Sequence, residues 1–200
     1  MKSFETLLKE SAAAHGHLSM GQVLGVRMAM EGCRRIGIEN PGEMPDIEKL
    51  IVFVEINRCP ADAIAYVTGT SLGRRSLIFM DYGIIAASFV NIETGKAFRL
   101  EVKKSARASA AEKTPPGADP EEAEQIEIEV YRQMDTDDLF SIDPVQVDVK
   151  ACDMPGPPQF KAVCQKCGQI ILDRREVIKN DQTLCRACAM GAYYKAVNTH

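Results

Sequence analysis

Two sets of side chains in this sequence have the types and spacing for metal chemistry. Toward the C-terminus, two residues separate Cys164 from Cys167, seventeen residues intervene, and Cys185 and Cys188 repeat the gap. Four thiolates in two such pairs can close a tetrahedron around one Zn²⁺, and the spacing is that of four-cysteine zinc sites. Near the N-terminus, His15 and His17 stand on either side of Gly16, just ahead of a helical run. Imidazoles one residue apart reach a single ion if the backbone between them is extended. Cys59, which follows the strongest strand pattern of the chain, offers a softer third donor, with Asp62 close behind it and Asn57 and Arg58 just before it. His15, His17 and Cys59 would make a set with one open position, compatible with Zn, Fe, Ni or Cu. Asp62 could accept a hydrogen bond from the non-ligating nitrogen of an imidazole and so fix its tautomer. The plainer alternative is a capping histidine, a surface histidine and a buried structural cysteine, and spacing alone leaves both readings open. Cys33, inside a helix, and Cys152, in a linker, read as structural.

The elements that must position these residues are legible in outline. Phe4, Leu7 and Leu8 mark a short first helix with Ser3 as its cap. The helix after the histidines is expected over residues 18–36. Gly21, Gly25, Met28 and Gly32 share one of its faces, and apolar residues occupy most of the others. Each glycine costs about 1 kcal/mol against Ala in a helix interior, which makes sense where another backbone or a ligand comes very close. Residues 49–56 (KLIVFVEI) form a β-branched strand, and Pro60 fits the first turn of a helix after it. Residues 69–76 are a small-residue loop with Thr70, Ser71, Arg74 and Arg75, suited to lie over the core site and receive an anionic group.

Strands are expected at 77–80, 84–91 and 97–102, joined by turns short enough to imply antiparallel neighbours. A helix should begin at Asp119-Pro120 and run to about Met134, followed by a turn at 137–140 and a strand at 145–149. The fold class is therefore α+β: an antiparallel sheet packed with helices. The Pro-rich stretch 154–158 reads as a stiff linker, which divides a core of residues 1–153 from a finger of residues 160–200. Within the finger, a tight turn at Gly168, a hairpin about residues 173–175, and a helix over 186–195 carrying the last pair of cysteines make a treble-clef arrangement. So small a segment has little core of its own, so its zinc would be structural.

The totals narrow the function classes. With 46% apolar and 26% charged residues among 200, the chain is of ordinary globular composition. No apolar stretch is long enough to span a membrane, and the N-terminus lacks a signal-peptide core, so a cytoplasmic location is expected. The formal charge of -4 offers nucleic acid no general attraction. In residues 160–200, seven Lys/Arg face three acids, a formal +4 that a zinc tetrathiolate reduces to about +2. Nucleic-acid binding is thus not expected. There is no P-loop, dinucleotide fingerprint or Ser/His/Asp array.

Three ordered motifs, HGHLSMGQVLGVRMA from His15, VEINRCPADAI from Val54 and TGTSLGRRSLIFMDYG from Thr68, resemble the family named for the E subunit of formylmethanofuran dehydrogenase. The resemblance covers about residues 12–100, and the cysteine-rich tail is similar to one found on many members. It implies an α+β core, often a homodimer, with an appended treble-clef finger. It also implies association with molybdenum or tungsten formylmethanofuran dehydrogenase, which captures CO₂ as a formyl group. His15, His17, Cys59 and Asp62 match the family pattern. Ser19 and Thr70 stand where the family usually has cysteine, which leaves a His/His/Cys set as the core site. The expected function is that of a metal-binding accessory to one-carbon redox metabolism, with zinc in the tail and a second transition metal in the core. An enzyme in its own right, or a regulatory scaffold whose finger binds a protein or nucleic acid and whose core binds a small effector, remain the other readings.

Overall fold

The computed structural model describes residues 1–197 and divides into two compact units, Met1–Asp148 and Val149–His200. The first is an α+β domain. Its five-stranded sheet has the order β2-β1-β3-β4-β5, from β1 (Leu50–Val54), β2 (Leu77–Phe79), β3 (Ala86–Asn91), β4 (Ala97–Val102) and β5 (Phe140–Pro144). Leu50, Val52, Val54, Ala87, Phe89, Leu100, Val102 and Phe140 point from one face of this sheet into the main hydrophobic core.

Most neighbours are antiparallel, as expected, but β2 pairs with β1 in parallel, Val52 opposite Leu77. A parallel pair needs a crossover, and α3 (Cys59–Thr68) supplies it. The turn at Asp81–Gly83 therefore closes no hairpin. It arches past the end of β1, with Met80 N–H donating to Val54 C=O and Ile84 N–H to Glu55 C=O.

The strand expected at 145–149 lies instead at Phe140–Pro144, directly after α6 (Thr136–Leu139). The β-branched spacing of Val145, Val147 and Val149 is misleading. The register opposite β4 is set by Phe140 and Ile142, which face Val102 and Leu100, because these two reach the core. Pro144 ends β5 on a sheet edge, where its missing N–H costs no ladder bond. Ala106 and Ala110 bury one face of α4 (Lys104–Lys113), and α5 (Pro120–Gln133) starts where Asp119 accepts from Glu122 N–H.

Three helices position the N-terminal constellation. α1 (Phe4–His15) is capped by Ser3 and is longer than its apolar pattern suggests, so His15 is its last residue. Gly16, at φ +104°, ends it in a conformation that L residues rarely adopt. α2 (Met20–Ile36) begins after Ser19, whose hydroxyl accepts from Gln22 N–H, and it is buried nearly all round. The glycine stripe of α2 is filled from within the chain. A Cβ on Gly21 would lie 2.8 Å from Cys59 Cβ, one on Gly25 2.5 Å from Pro60 O, and one on Gly32 2.3 Å from the Phe89 ring. Close approach of α3 and β3 is what these positions serve.

Gly25→Ala is expected to lower stability by about 1–3 kcal/mol, although Ala is the better helix former. The Pro60 carbonyl and the Ala63 methyl are parts of α3 that cannot rotate away. The urea midpoint measures this, and an unchanged midpoint would show that the two helices separate at no cost.

Candidate metal centres

His15 is delivered by the last turn of α1, His17 by the link to α2, and Cys59 by the first position of α3. The exit of β1 that leads to Cys59 is held by a bidentate pair: Arg99 Nε and Nη2 each donate to buried Glu55 at 2.7 Å. That hydrogen-bonded pairing raises the Arg99 guanidinium above its already high range. Arg58 precedes α3 without a capping side-chain bond, and Pro60 sits within its first turn. Asp62 lies one turn into α3, on the side of His15.

The four expected side chains meet. The rings of His15 and His17 have centroids 4.7 Å apart, tilted by 44°. One ligand atom from each of His15, His17 and Cys59 lies within 4.8 Å of the others, so all three belong to one cluster of possible ligands. His15 Nδ1 and Asp62 Oδ2 are 2.9 Å apart. An ionised carboxylate only accepts, so Nδ1 carries a proton, and in the neutral imidazole Nε2 is then the nitrogen with a lone pair. Among the described residues, His15 Nε2 is a buried atom with no hydrogen-bond partner. Leaving such an acceptor unpaired costs about 1–3 kcal/mol, and a metal ion is a group that would use it. The donor set therefore fits a transition metal.

In the 69–76 loop the threonine and serine hydroxyls are satisfied locally: Thr70 is buried with its hydroxyl against that of Thr68, Ser71 Oγ accepts from Arg74 N–H, and Ser76 Oγ accepts from Ser71 N–H. Ser19, likewise, is a buried helix cap. A cavity of about 590 Å³ in the first unit is lined by residues of α1, α2 and α6 and by none of the four site residues. Its Arg27 donates to the carbonyls of Tyr131 and Met134, ending α5. Cys33 is fully buried, its thiol pushed up to about 12 by desolvation, and is structural. Sequence reading passes over Ser11 and Gln22. An amide on an otherwise apolar helix face was the available signal.

In the second unit, Cys164, Cys167, Cys185 and Cys188 form a four-sulfur cluster with ligand atoms within 4.8 Å of one another. Gly168, at φ +74°, makes the tight turn after the first pair. The cluster favours thiolate unequally. Backbone N–H groups, that of Cys185 first, then those of Cys167 and Lys166, lower Cys164 to about 6. Neighbouring thiols, Cys185 first, push Cys188 up to about 12. Four such groups ionise together only around a cation.

The strand pairing differs from the expected hairpin about residues 173–175. β7 (Ile170–Leu172) pairs back with β6 (Lys161–Val163), and β8 (Val177–Lys179) pairs onward with β9 (Gln182–Leu184). Asn180 and Asp181, both at positive φ, provide the two-residue turn that suits a hairpin, so β8 finds its partner there. The last helix, α7 (Arg186–Met190), is shorter than expected because Gly191 follows it, and Cys185 Sγ accepts from Cys188 N–H at its start. Among the described residues only Cys164, Ile171 and Leu184 are buried around the cluster, too little apolar area to hold the unit without metal.

Cys185→Ser is expected to release the tail zinc and make residues beyond about 160 sensitive to protease, while the core in residues 1–148 stays resistant. Elemental analysis with limited proteolysis reads both. A variant that kept its zinc and its resistance would show that the metal does not hold the finger.

Comparison with known proteins agrees with this architecture. A family model described as FmdE, molybdenum formylmethanofuran dehydrogenase operon, matches residues 14–141, and one described as prokaryotic dksA/traR C4-type zinc finger matches residues 159–194. A probable S-adenosyl-L-methionine-binding protein of Archaeoglobus fulgidus is 33% identical over 96 residues, covering 48% of this chain and 26% of that protein. The chain thus matches about a quarter of the length of that relative. The crystal structure of a tungsten formylmethanofuran dehydrogenase FmdE-like protein from Syntrophus aciditrophicus superposes with a TM-score of 0.62 at 18% identity. The alignment covers 97% of this chain and 96% of that one, a likeness of fold. With its α+β core matched over residues 14–141 and a four-cysteine zinc finger behind it, the chain belongs to the FmdE family.

Proposed function

We propose that the core of this FmdE-family protein binds one transition-metal ion through His15, His17 and Cys59, with Asp62 orienting His15. The carrying observation is His15: Nδ1 is held by Asp62 at 2.9 Å, while Nε2 is buried without a hydrogen-bond partner beside two further donors. An imidazole oriented through one nitrogen, left without a partner at the other and grouped with a second imidazole and a thiol, is what a ligand set requires. With three protein donors, one coordination position stays open, and an ion held there would supply a Lewis acid for a water, thiol or carbonyl oxygen. His17 and Asp62 are exposed, so the position is within reach of solvent or a partner.

The family description, which names the molybdenum formylmethanofuran dehydrogenase operon, supports a place beside a molybdenum or tungsten oxidoreductase acting on one-carbon units. In this reading the protein is a cytoplasmic metal-binding accessory of that enzyme and the finger is its structural appendage. Among the described residues no helix is long and apolar enough to cross a membrane.

Elemental analysis after saturation and removal of loosely held metal is expected to find two ions per chain, one in the tail and one in the core. His15→Ala should leave only the tail ion. Asp62→Asn should weaken the core site by roughly 10- to 100-fold. A saturated wild-type chain that retains only the tail ion would end the proposal.

The core further supports a homodimer. The glycine stripe is occupied within the chain, but β2 is a sheet edge whose outer side is only partly closed, by Leu77 N–H donating to Ser71 C=O, and Phe79, Leu72, Tyr82 and Ile84 on or near it are exposed. Light scattering at micromolar concentration should give twice the 22.0 kDa chain mass, and Phe79→Glu should shift it to one. A wild-type protein found only as monomer would remove this part of the reading.

A further inference from the structure

The geometry points to Gln22 as the positioning residue that holds Cys59 against the two histidines, an inference that rests on the core metal site proposed above. Gln22 is fully buried, in the first turn of an otherwise mostly apolar helix. A buried primary amide is costly unless its groups find partners, and here both do. Nε2 donates to the backbone carbonyl of Cys59 at 3.1 Å, and Oε1 accepts from Ser11 Oγ at 2.5 Å. The carbonyl can only accept, so the orientation of the amide follows from its partner, and the Ser11 hydroxyl must then be the donor.

Each end of this link belongs to a carrier of the site. Ser11, also buried, lies one helical turn before His15 on α1, so it shares the face and the rigid body of that histidine. Cys59 is the first residue of α3, and Asp62 is on the next turn. Gln22 itself follows the link that contains His17, and its own N–H is capped by Ser19. One side chain thus ties together the three segments that carry all four site residues. Gly21, beside it, lets the Cys59 Cβ come down on α2, since a methyl there would lie 2.8 Å from that atom. Cys59 is therefore fixed at two points, its Cβ by contact and its carbonyl by a hydrogen bond. A cysteine at the fraying first position of a helix would otherwise be free to swing its thiol away. The serine and the glutamine touch no ion. They set where the sulfur stands relative to His15.

The test is cobalt(II) titration of the full chain with zinc kept in the tail, comparing wild type, Gln22→Met and Ser11→Ala. Wild type should take up one Co²⁺ with a sulfur-to-cobalt charge-transfer band and the visible bands of a low-coordinate site. Gln22→Met, of similar size but without the amide, should bind roughly 10- to 100-fold more weakly and lose charge-transfer intensity, because the sulfur is the donor set loose. Ser11→Ala should change the same spectrum in the same direction by less. Should Gln22→Met fail to fold, Ser11→Ala decides the matter by its spectrum. A variant spectrum identical to wild type, whether at full affinity or at one lowered only in step with melting temperature, would assign Gln22 to the fold alone and overturn the inference while leaving the metal site standing. No cobalt uptake by wild type would instead remove the metal site and the inference with it.

Discussion

The approach of α3 to α2 is the constraint on which the rest of the first unit depends. Helix axes normally stand about 8–10 Å apart because side chains lie between them. Here α2 presents bare backbone at Gly21 and Gly25, and Pro60, Cys59 and Ala63 of α3 rest directly on it. That contact brings the first turn of α3 to the first turn of α2, and the first turn of α2 is where the chain arrives from His15 and His17. The convergence of two histidines with a cysteine forty residues away is thus a consequence of missing side chains. The propensity lost in the helix interior is offset by packing and by the placement of chemistry.

The same contact explains the topology. β1 and β2 run parallel, and the crossover between them must lie on one face of the sheet. α3 can make that crossover closely packed because α2 already lies over the sheet and accepts it along the glycine stripe. Gly32, farther along, admits the Phe89 ring of β3 by the same device. One helix therefore registers both the crossover and the sheet beneath it. The exit of β1 is stiffened separately by the Glu55–Arg99 pair, so the segment between strand and helix is held at each end.

The two donor sets illustrate different uses of metal-ligating side chains. In the finger, four sulfurs surround one point, and the buried apolar residues beside them are few, so the ion takes the part of a core. In the first unit the core is extensive and complete without any ion. The imidazoles and the thiol there are borne by elements that other contacts already hold, and His17 and Asp62 face outward. The contrast in burial and in donor number separates a staple from the open site proposed for the core.

The sequence by itself determined much of this. Cysteine spacing specified the finger, because four ligands at such intervals have few other uses; His15, His17, Cys59 and Asp62 could be named from residue type, but spacing left a plainer reading open and only the family resemblance favoured a ligand set. The α+β class followed from periodicity, which is a local property. Tertiary structure decided what depends on distant partners. The parallel pairing of β2, the start of β5 at Phe140 and the finger's two hairpins are choices of neighbour, and periodicity carries no information about neighbours. The glycine stripe announced a close contact but not with what. The loop at 69–76 turned its serine hydroxyls on itself, because hydroxyls near backbone N–H groups satisfy those first. That His15 keeps an unpartnered nitrogen while Gln22 joins Ser11 to Cys59 was decided only in three dimensions, where burial removes water and leaves each polar atom to the neighbours the fold provides.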